Sequence, residues 1–169
     1  MGDTSKLYVG KGIISFKGAG DSDYVEMGNA PVVSLQLSQD TLDHFSSQEG
    51  IKQKDKTVVI SQSGTLTMTL EEITGRNLRL AMMGDAETDS DGNTVINVGT
   101  QSSVEGWIRF RGTNSVGLQL NYDAKVSIRP SDPFNFVGDD WGQLSLTAEV
   151  LAVDGALGQI TVEDVLAVA

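Results

Sequence analysis

The stretch VGLQLNYDAKVSIR (Val116–Arg129) determines the fold class, because apolar and polar side chains alternate along its whole length. A period of two places successive side chains on opposite faces of a β-strand. One face carries the apolar set Val116, Leu118, Leu120, Tyr122, Ala124, Val126 and Ile128. The other face carries Gly117, Gln119, Asn121, Asp123, Lys125, Ser127 and Arg129. We therefore predict a long strand with one buried face.

Four shorter stretches alternate in the same way and predict further strands. They are VVSLQL (32–37), TLTMTL (65–70), VEGWIRF (104–110) and QLSLTAEV (143–150). The stretch TGRNLRLAMMG (74–84) is different, because its Leu, Met and Ala content favours a helix. Thr74 is placed to cap the start of this helix and Gly84 to end it in the left-handed conformation. Its predicted inner stripe is Leu78, Ala81 and Met82.

Many alternating strands with a single helix predict a mainly β protein. We expect two packed antiparallel sheets, forming a β-sandwich or a barrel-like pair, with one flanking α-helix at about 74–84. A chain of 169 residues is predicted to form one domain over 1–169. Long alternating strands leave sheet edges that attract other strands, so we also predict pairing with copies of the same chain.

The composition excludes several classes of function. The chain has no cysteine, which excludes disulfides and thiolate chemistry. A formal net charge of −11 argues against binding to nucleic acid, which depends on cations that neutralise phosphates. Residues 1–20 lack the apolar run of a signal peptide, and no stretch approaches the ~20 apolar residues that span a bilayer. We expect no membrane association.

No catalytic, metal or cofactor site is predicted. His44 is the only histidine, and its polar surroundings favour a contact role over that of a catalytic base. The acidic stretch DAETDSDGNT (85–94) has Val98 where a calcium-binding EF-hand loop requires a Glu, so a solvated turn is predicted there. We expect the protein not to be an enzyme.

The stretch Leu42–Lys56 lacks the alternation of the strands and contains mainly polar and charged residues, although it keeps some apolar ones. A disordered loop of this length is uncommon inside a compact domain. We predict a protruding loop over about 40–56 that contacts another molecule. Leu42, Phe45 and Ile51 would be its apolar anchors, and the polar contacts would come from His44, Lys52, Lys54 and Asp55.

Two long stretches resemble the tail tube protein of long, non-contractile-tailed bacteriophages. The first is GNAPVVSLQLSQDTLDHFSSQEGIKQKDKTVVISQSGTLTMTLEEITGRNLRLAMMGD (Gly28–Asp85), and the second is FNFVGDDWGQLSLTAEVL (Phe134–Leu151). Together they cover about half of the chain. Their order and spacing are more specific than a short motif, and the remaining strands fit the family's pattern without identifying it.

The resemblance implies a structural virion protein that forms stacked hexameric rings and delivers DNA to the host. Its partners would be copies of itself, the tail tip and tail terminator proteins, and a tape-measure protein inside the tube. DNA would pass through without specific binding. The protein would be made in the cytoplasm of a host bacterium and end in the virion tail. The segment 40–56 would then be an arm that contacts the neighbouring ring.

The resemblance also implies that one sheet lines the lumen of the tube. The candidates on the polar faces of the strands are Gln36, Thr67, Thr69, Glu71, Gln119, Asn121 and Asp123. Six subunits of charge −11 carry −66 per ring, and acidic residues on the wall would repel phosphates.

Two alternatives stay open at this point. The tube of a contractile tail or of a related secretion machine shares the fold, and a sheath gene beside this one would favour it. A carbohydrate-binding β-sandwich module would need a platform of exposed aromatic residues, for which Trp107 and Trp141 are the candidates.

Overall fold

The computed structural model describes residues 2–48 and 50–163 of the protein. These residues form ten β-strands, one α-helix, α1 (Gly75–Ala81), and a short 3₁₀ helix at Thr4–Lys6. The strands are β1 (Gly12–Gly18), β2 (Val25–Glu26), β3 (Val32–Ser46), β4 (Gln53–Leu70), β5 (Asp85–Thr88), β6 (Thr94–Asn97), β7 (Val104–Gly112), β8 (Gln119–Pro130), β9 (Leu144–Leu151) and β10 (Gln159–Glu163). The predicted fold class is confirmed: the protein is mainly β, with two antiparallel sheets and one α-helix.

Eight of the strands form one large antiparallel sheet in the order β2-β1-β7-β8-β9-β4-β3, with β10 also paired to β8. The first half of β8 pairs with β10 and the second half with β9. The second sheet is the small hairpin of β5 and β6. Helix α1 contacts both sheets, since it packs against β5 and β6 as well as β8 and β9.

The core lies on one face of the large sheet and is a single cluster of apolar side chains. It includes Ile14 and Phe16 of β1 and Leu66, Met68 and Leu70 of β4, although these strands lie far apart in the sheet order. The sheet therefore curves around its core. The alternation of β8 places Tyr122, Ala124, Val126 and Ile128 in this cluster, as predicted. Full burial of each large apolar side chain contributes about 1.5–3 kcal/mol.

Strand β8 begins later than its sequence pattern predicts. The pattern starts at Val116, whereas the strand starts at Gln119 and Val116 is exposed. Gly117 has a φ of 80°, which no extended strand contains, and a Cβ there would lie 2.3 Å from the backbone oxygen of Leu7. The chain turns at this glycine because the amino-terminal segment passes close to it.

Helix α1 is shorter than predicted. Thr74 caps it, since its side chain accepts a hydrogen bond of 3.1 Å from the backbone N–H of Asn77. The helix ends at Ala81, and Met83 rather than Gly84 adopts the left-handed conformation, with a φ of 49°. Gly84 is needed for a different reason, because a Cβ there would lie 2.5 Å from the backbone oxygen of Asn97.

The buried face of α1 also differs from the predicted stripe. Asn77 and Leu80 are its buried residues, whereas Leu78, Ala81 and Met82 are only partly buried. Asn77 is satisfied inside the protein because its side chain donates to the backbone oxygens of Met27 and Glu72, at 2.8 and 2.9 Å. A polar residue that bridges two loops therefore occupies a position that a hydrophobic pattern does not reveal.

An ion pair ties α1 to the turn after β1. Arg76 Nη2 lies 2.6 Å from Asp21 Oδ2 and also donates to the backbone oxygen of Phe16. The hydrogen bond from Arg76, together with one from the backbone N–H of Gly18, holds the pKa of Asp21 below its ordinary value of 3.8.

The predicted protruding loop over about 40–56 is a β-hairpin. Strands β3 and β4 remain paired out to Ser46 and Gln53, so the connecting turn is confined to residues between them. The loop prediction was wrong in its secondary structure because neither strand alternates there. Polar and charged side chains are tolerated on both faces of a ribbon that packs on no core of its own.

Candidate assembly surfaces

The hairpin extends well past the rest of the large sheet. Strand β4 pairs with β9 only from Gly64 to Leu70, whereas its pairing with β3 continues to Gln53. We call residues 38–63 the hairpin arm. From Ser63 to Gln53 the arm reaches roughly 35 Å at ~3.3 Å per residue. Along the described part of the arm, no third strand pairs with either of its strands.

Two β-bulges shape the arm. The register shifts between Asp40 and Thr41 and again between His44 and Phe45, which leaves Ile60 and Asp55 as the extra residues of β4. A bulge turns its side chains and increases the local twist of the strands. The bulge at Asp55 brings its carboxylate Oδ1 to 2.6 Å from Nδ1 of His44.

A second polar cluster links the two strands of the arm. The carboxylate of Asp43 accepts hydrogen bonds from Lys54 Nζ at 2.7 Å and from Thr57 Oγ1 at 2.8 Å. Both bonds lower the pKa of Asp43 below its ordinary value of 3.8, and the bond from Lys54 has the larger effect. The cross-strand contacts hold the register of a ribbon that has no core beneath it.

The arm exposes large apolar side chains on both faces. Leu42 of β3 pairs with Val58 of β4 on one face, while Val59, the partner of Thr41, points to the other. The apolar residues of the arm are between 46% and 85% exposed, and they are Leu42, Phe45, Ile51, Val58, Val59 and Ile60. Burial of each would contribute up to about 1.5–3 kcal/mol, which the single chain does not obtain.

All the residues predicted for the contacting segment lie on the arm. Leu42, His44 and Phe45 belong to β3, Lys54 and Asp55 belong to β4, and Ile51 and Lys52 lie in the turn between them; all are exposed.

The other half of the arm was not predicted from the sequence. The strand predicted at 65–70 is the end of β4 that meets the core; β4 begins at Gln53, and its buried face begins only at Gly64. The missed signal is the run Val58, Val59 and Ile60, because three consecutive apolar residues of an extended strand cannot all face one core.

The residues predicted for a lumen wall share the outward face of the large sheet, opposite the core. Gln36 pairs with Thr65, Thr67 with Thr147, and Asn121 with both Arg111 and Thr161. We call this surface the polar sheet face. The predicted residues form two groups on it, with β9 between them. One group is Gln36, Thr67, Thr69 and Glu71, and the other is Gln119, Asn121 and Asp123.

Charges on the polar sheet face are paired across strands. Asp123 contacts both Arg109 (3.0 Å, Nε to Oδ1) and Arg111 (2.8 Å, Nη2 to Oδ2). Lys125 lies 3.6 Å from Glu105, and Arg129 pairs with Glu149. The guanidinium of Arg109 also lies 3.9 Å from the centre of the Tyr24 ring. This face is therefore balanced in charge rather than strongly acidic.

Both ends of the large sheet offer backbone groups to another strand. Strand β3 is the last strand at one end, and its outer edge has no partner among the described residues. At the other end, β2 pairs with Ser15 and Phe16. The backbone oxygen of Ile14 accepts from the N–H of Met27, and both backbone groups of Gly18 bond to Asp21. In the part of the chain that the structure describes, the start of β1 near Gly12 and the outer side of β2 remain open at this end. The long exposed edge of β3 is a template for pairing with another chain.

The two tryptophans considered for a carbohydrate platform lie on separate elements. Trp107 lies on β7 at the polar sheet face and is 37% exposed, whereas Trp141 lies in the loop between β8 and β9 and is 92% exposed. Within the described residues, no group of three or more His, Cys, Asp or Glu side chains is arranged to hold a metal ion. The acidic stretch 85–94 contains β5, the turn after it and the first residue of β6. The Asp89 carboxylate holds this turn by accepting from the side chain and backbone N–H of Asn93.

Residues 7–95 match the model of a family described as "Protein of unknown function UCP028589". The chain belongs to this family. The match spans more than half of the chain and includes β1–β5, α1, the hairpin arm and the start of β6. No curated protein matches the chain. Among the described residues, no helix has the length and apolar character that crossing a membrane requires.

Proposed function

We propose that this protein is the structural subunit of a self-assembling tube, as in the tails of long, non-contractile-tailed bacteriophages. The observation that carries the proposal is the hairpin arm. It extends from the body of the protein, and apolar side chains are exposed on both of its faces. A two-stranded ribbon alone is marginally stable in water and needs a further strand or a packing surface. Identical copies would supply the further strand within a closed ring and the packing surface within a stack of rings.

The open sheet edges support assembly within a ring. The outer edge of β3 and the edge formed by β2 and the start of β1 lie at opposite ends of one curved sheet. Six copies joined edge to edge would form a continuous barrel in which neither of these strands ends the sheet. The same subunit would then satisfy the ring through its edges and the stack through its arm.

The polar sheet face supports the role of a conduit for DNA. Four of its cations, Arg109, Arg111, Lys125 and Arg129, are each engaged by a carboxylate of the same face, and Lys17 lies 5.9 Å from the centre of the Tyr24 ring. Phosphates on a wall of this kind would find few unpaired cations to bind. Weak and uniform interaction with DNA would result from charge pairing on the wall, in addition to the overall acidity of the subunit.

Negative-stain electron microscopy of the purified protein, alone and with tail-tip proteins, tests the proposal. We expect rings or hollow tubes at high protein concentration. A protein that stays monomeric under both conditions would contradict it. A sheath gene beside this one would assign the tube to a contractile tail, which leaves the assembly mechanism unchanged.

A further inference from the structure

The loop between β8 and β9 is an exposed apolar surface away from the hairpin arm. Phe136, Val137 and Trp141 are 86%, 93% and 92% exposed. Phe134 of the same loop packs against the core, and its ring lies 5.1 Å from that of Phe136 in an edge-to-face arrangement. The loop is thus anchored at one aromatic residue while its remaining apolar side chains face outward. We call residues 131–143 the acceptor loop.

The acceptor loop and the tip of the arm lie at opposite ends of the same strand. Leu144, the first residue after the loop, pairs with Leu70 at the end of β4, whereas the tip precedes Gln53 at its start. The length of β4 from Gln53 to Leu70 separates these ends by roughly 60 Å at ~3.3 Å per residue. Contact between tip and loop within one chain is therefore excluded.

The two ends differ in charge. The acceptor loop contains Asp132, Asp139 and Asp140 and no Lys or Arg, and Glu71 and Glu72 follow the adjacent end of β4. The arm contains Lys52, Lys54 and Lys56 within five positions, and its own carboxylates are Asp40, Asp43, Glu49 and Asp55. Of these, Asp43 pairs with Lys54 and Asp55 with His44. Lys54 pairs with Asp43 of its own arm, while Lys52 and Lys56 form no ion pair within the described residues. The unpaired cations of the arm complement the carboxylates of the loop.

We propose that the arm tip of one copy binds the acceptor loop of a copy in the next ring. Ile51 and Phe45 would pack against Phe136, Val137 and Trp141, while Lys52 and Lys56 would face Asp139 and Asp140. Complementary surfaces at opposite ends of a subunit produce a head-to-tail contact that repeats without closing, as a stack requires. This inference rests on the proposed tube and identifies the surface that receives the arm.

Charge reversal tests the proposed contact. Lys52→Glu with Lys56→Glu makes the arm tip acidic, and Asp139→Lys with Asp140→Lys makes the loop basic. We expect each double variant alone to raise the critical concentration for assembly at least about tenfold, because like charges would then meet. An equal mixture of the two should assemble again, since rings of one variant and rings of the other can alternate with opposite charges at every contact.

Cysteine cross-linking provides a second readout, because the natural chain has no cysteine. A chain with Ile51→Cys and Trp141→Cys should form a ladder of disulfide-linked multimers under oxidation, and reduction should remove the ladder. The control pairs Ile51→Cys with Thr147→Cys, which lies on the polar sheet face, and should give no ladder. All these positions except Thr147 are exposed, and circular dichroism verifies that each variant is folded.

The outcomes separate this inference from the proposed function. If the wild-type chain forms no particles, the tube itself is refuted. If it forms tubes, but the loop variants assemble like wild type and no ladder appears, the acceptor assignment is wrong and the tube stands. If only the arm variants fail, the acceptor loop serves a different protein, which also overturns the inference.

Discussion

Gly64 is the first residue along β4 that pairs with β9, and its partner there is Val150. On its other side Gly64 pairs with Leu37 of β3. Beyond this residue the ribbon of β3 and β4 continues without a third strand, and its apolar side chains become exposed. The pair therefore marks the boundary between the part of the sheet that packs on the core and the part that packs on no core of its own chain.

Removal of the arm should abolish tube assembly without unfolding the body. Asp40 and Ser61 are paired, so replacement of residues 41–60 by Asn-Gly would close the strands with a two-residue turn. We expect no species larger than a single ring at any concentration by size-exclusion chromatography with light scattering, because the arm forms the contacts between rings. Its thermal unfolding should stay cooperative, because the deleted side chains lie outside the core.

A matched control shortens the other hairpin instead. Replacement of residues 89–93 by Asn-Gly alters the turn between Thr88 and Thr94 and leaves the arm intact. This variant should assemble like wild type. Loss of assembly in both variants, or in neither, would contradict the role assigned to the arm.

Single apolar residues of the arm should contribute measurably to assembly. Val58→Thr keeps the β-branched shape and replaces one methyl group by a hydroxyl, which would be buried in the contact. A loss of about 1 kcal/mol for the buried methyl group corresponds to a critical concentration about fivefold higher. Val95→Thr on β6 is the matched control, since Val58 and Val95 are 46% and 43% exposed. Equal effects of the two substitutions would show that Val58 is not in an interface.

The pKa of Asp43 reports on the cross-strand contacts of the arm. The hydrogen bonds from Lys54 and Thr57 place this pKa below 3.8 in the folded chain. A lowered pKa stabilises the folded arm above the ordinary pKa, and that contribution is lost as the pH falls through the folded value. A carbon-13 NMR titration of the carboxyl group should give a midpoint below 3.8.

Two variants test the cause of this shift. Lys54→Met should move the midpoint of Asp43 upward, whereas Lys52→Met should leave it unchanged because Lys52 does not contact Asp43 in the structure. A wild-type midpoint at or above 3.8 would contradict the hydrogen-bonded geometry.

Two glycine substitutions in the body test its packing through the free energy of unfolding, independently of assembly. Gly106 of β7 faces Gly18 of β1, and a Cβ there would lie 2.4 Å from the backbone oxygen of Lys17. Backbone cannot move aside as a flexible side chain can, so Gly106→Ala should lower the free energy of unfolding by about 1–3 kcal/mol. Gly20→Ala, with no atom within 4 Å of the added Cβ, should change it by no more than about 0.5 kcal/mol in urea unfolding.

Much of the body could be predicted from the sequence, because period-two alternation records which face of a strand meets the core. Tyr122, Ala124, Val126 and Ile128 are buried as their pattern predicts. The buried face of α1 was less predictable, because Asn77 takes a core position through hydrogen bonds to two backbone oxygens. A hydrophobic pattern contains no information on such partners.

The arm was predicted as a contact surface, but its hairpin structure was not. Alternation disappears where neither face of a strand meets a core, so Leu42–Lys56 carried no strand signal although Leu42–Ser46 pair with residues of 53–58. The bulge that brings Asp55 to His44 depends on a register between two strands, which no single stretch of sequence specifies. The exposure of Phe136 and Val137 was not predicted, because exposed and buried apolar residues look alike in a sequence.

Amide hydrogen exchange of the arm, measured on dilute and concentrated protein, tests most directly whether copies of the chain cover it. In dilute solution the outward backbone amides of residues 38–46 should exchange rapidly, because the outer edge of β3 has no partner in the single chain. On assembly we expect these amides, together with those of residues 53–60, to exchange at least about a hundredfold more slowly. Exchange that stays equally fast in hollow particles, or that is already slow in a monomer, would contradict the account.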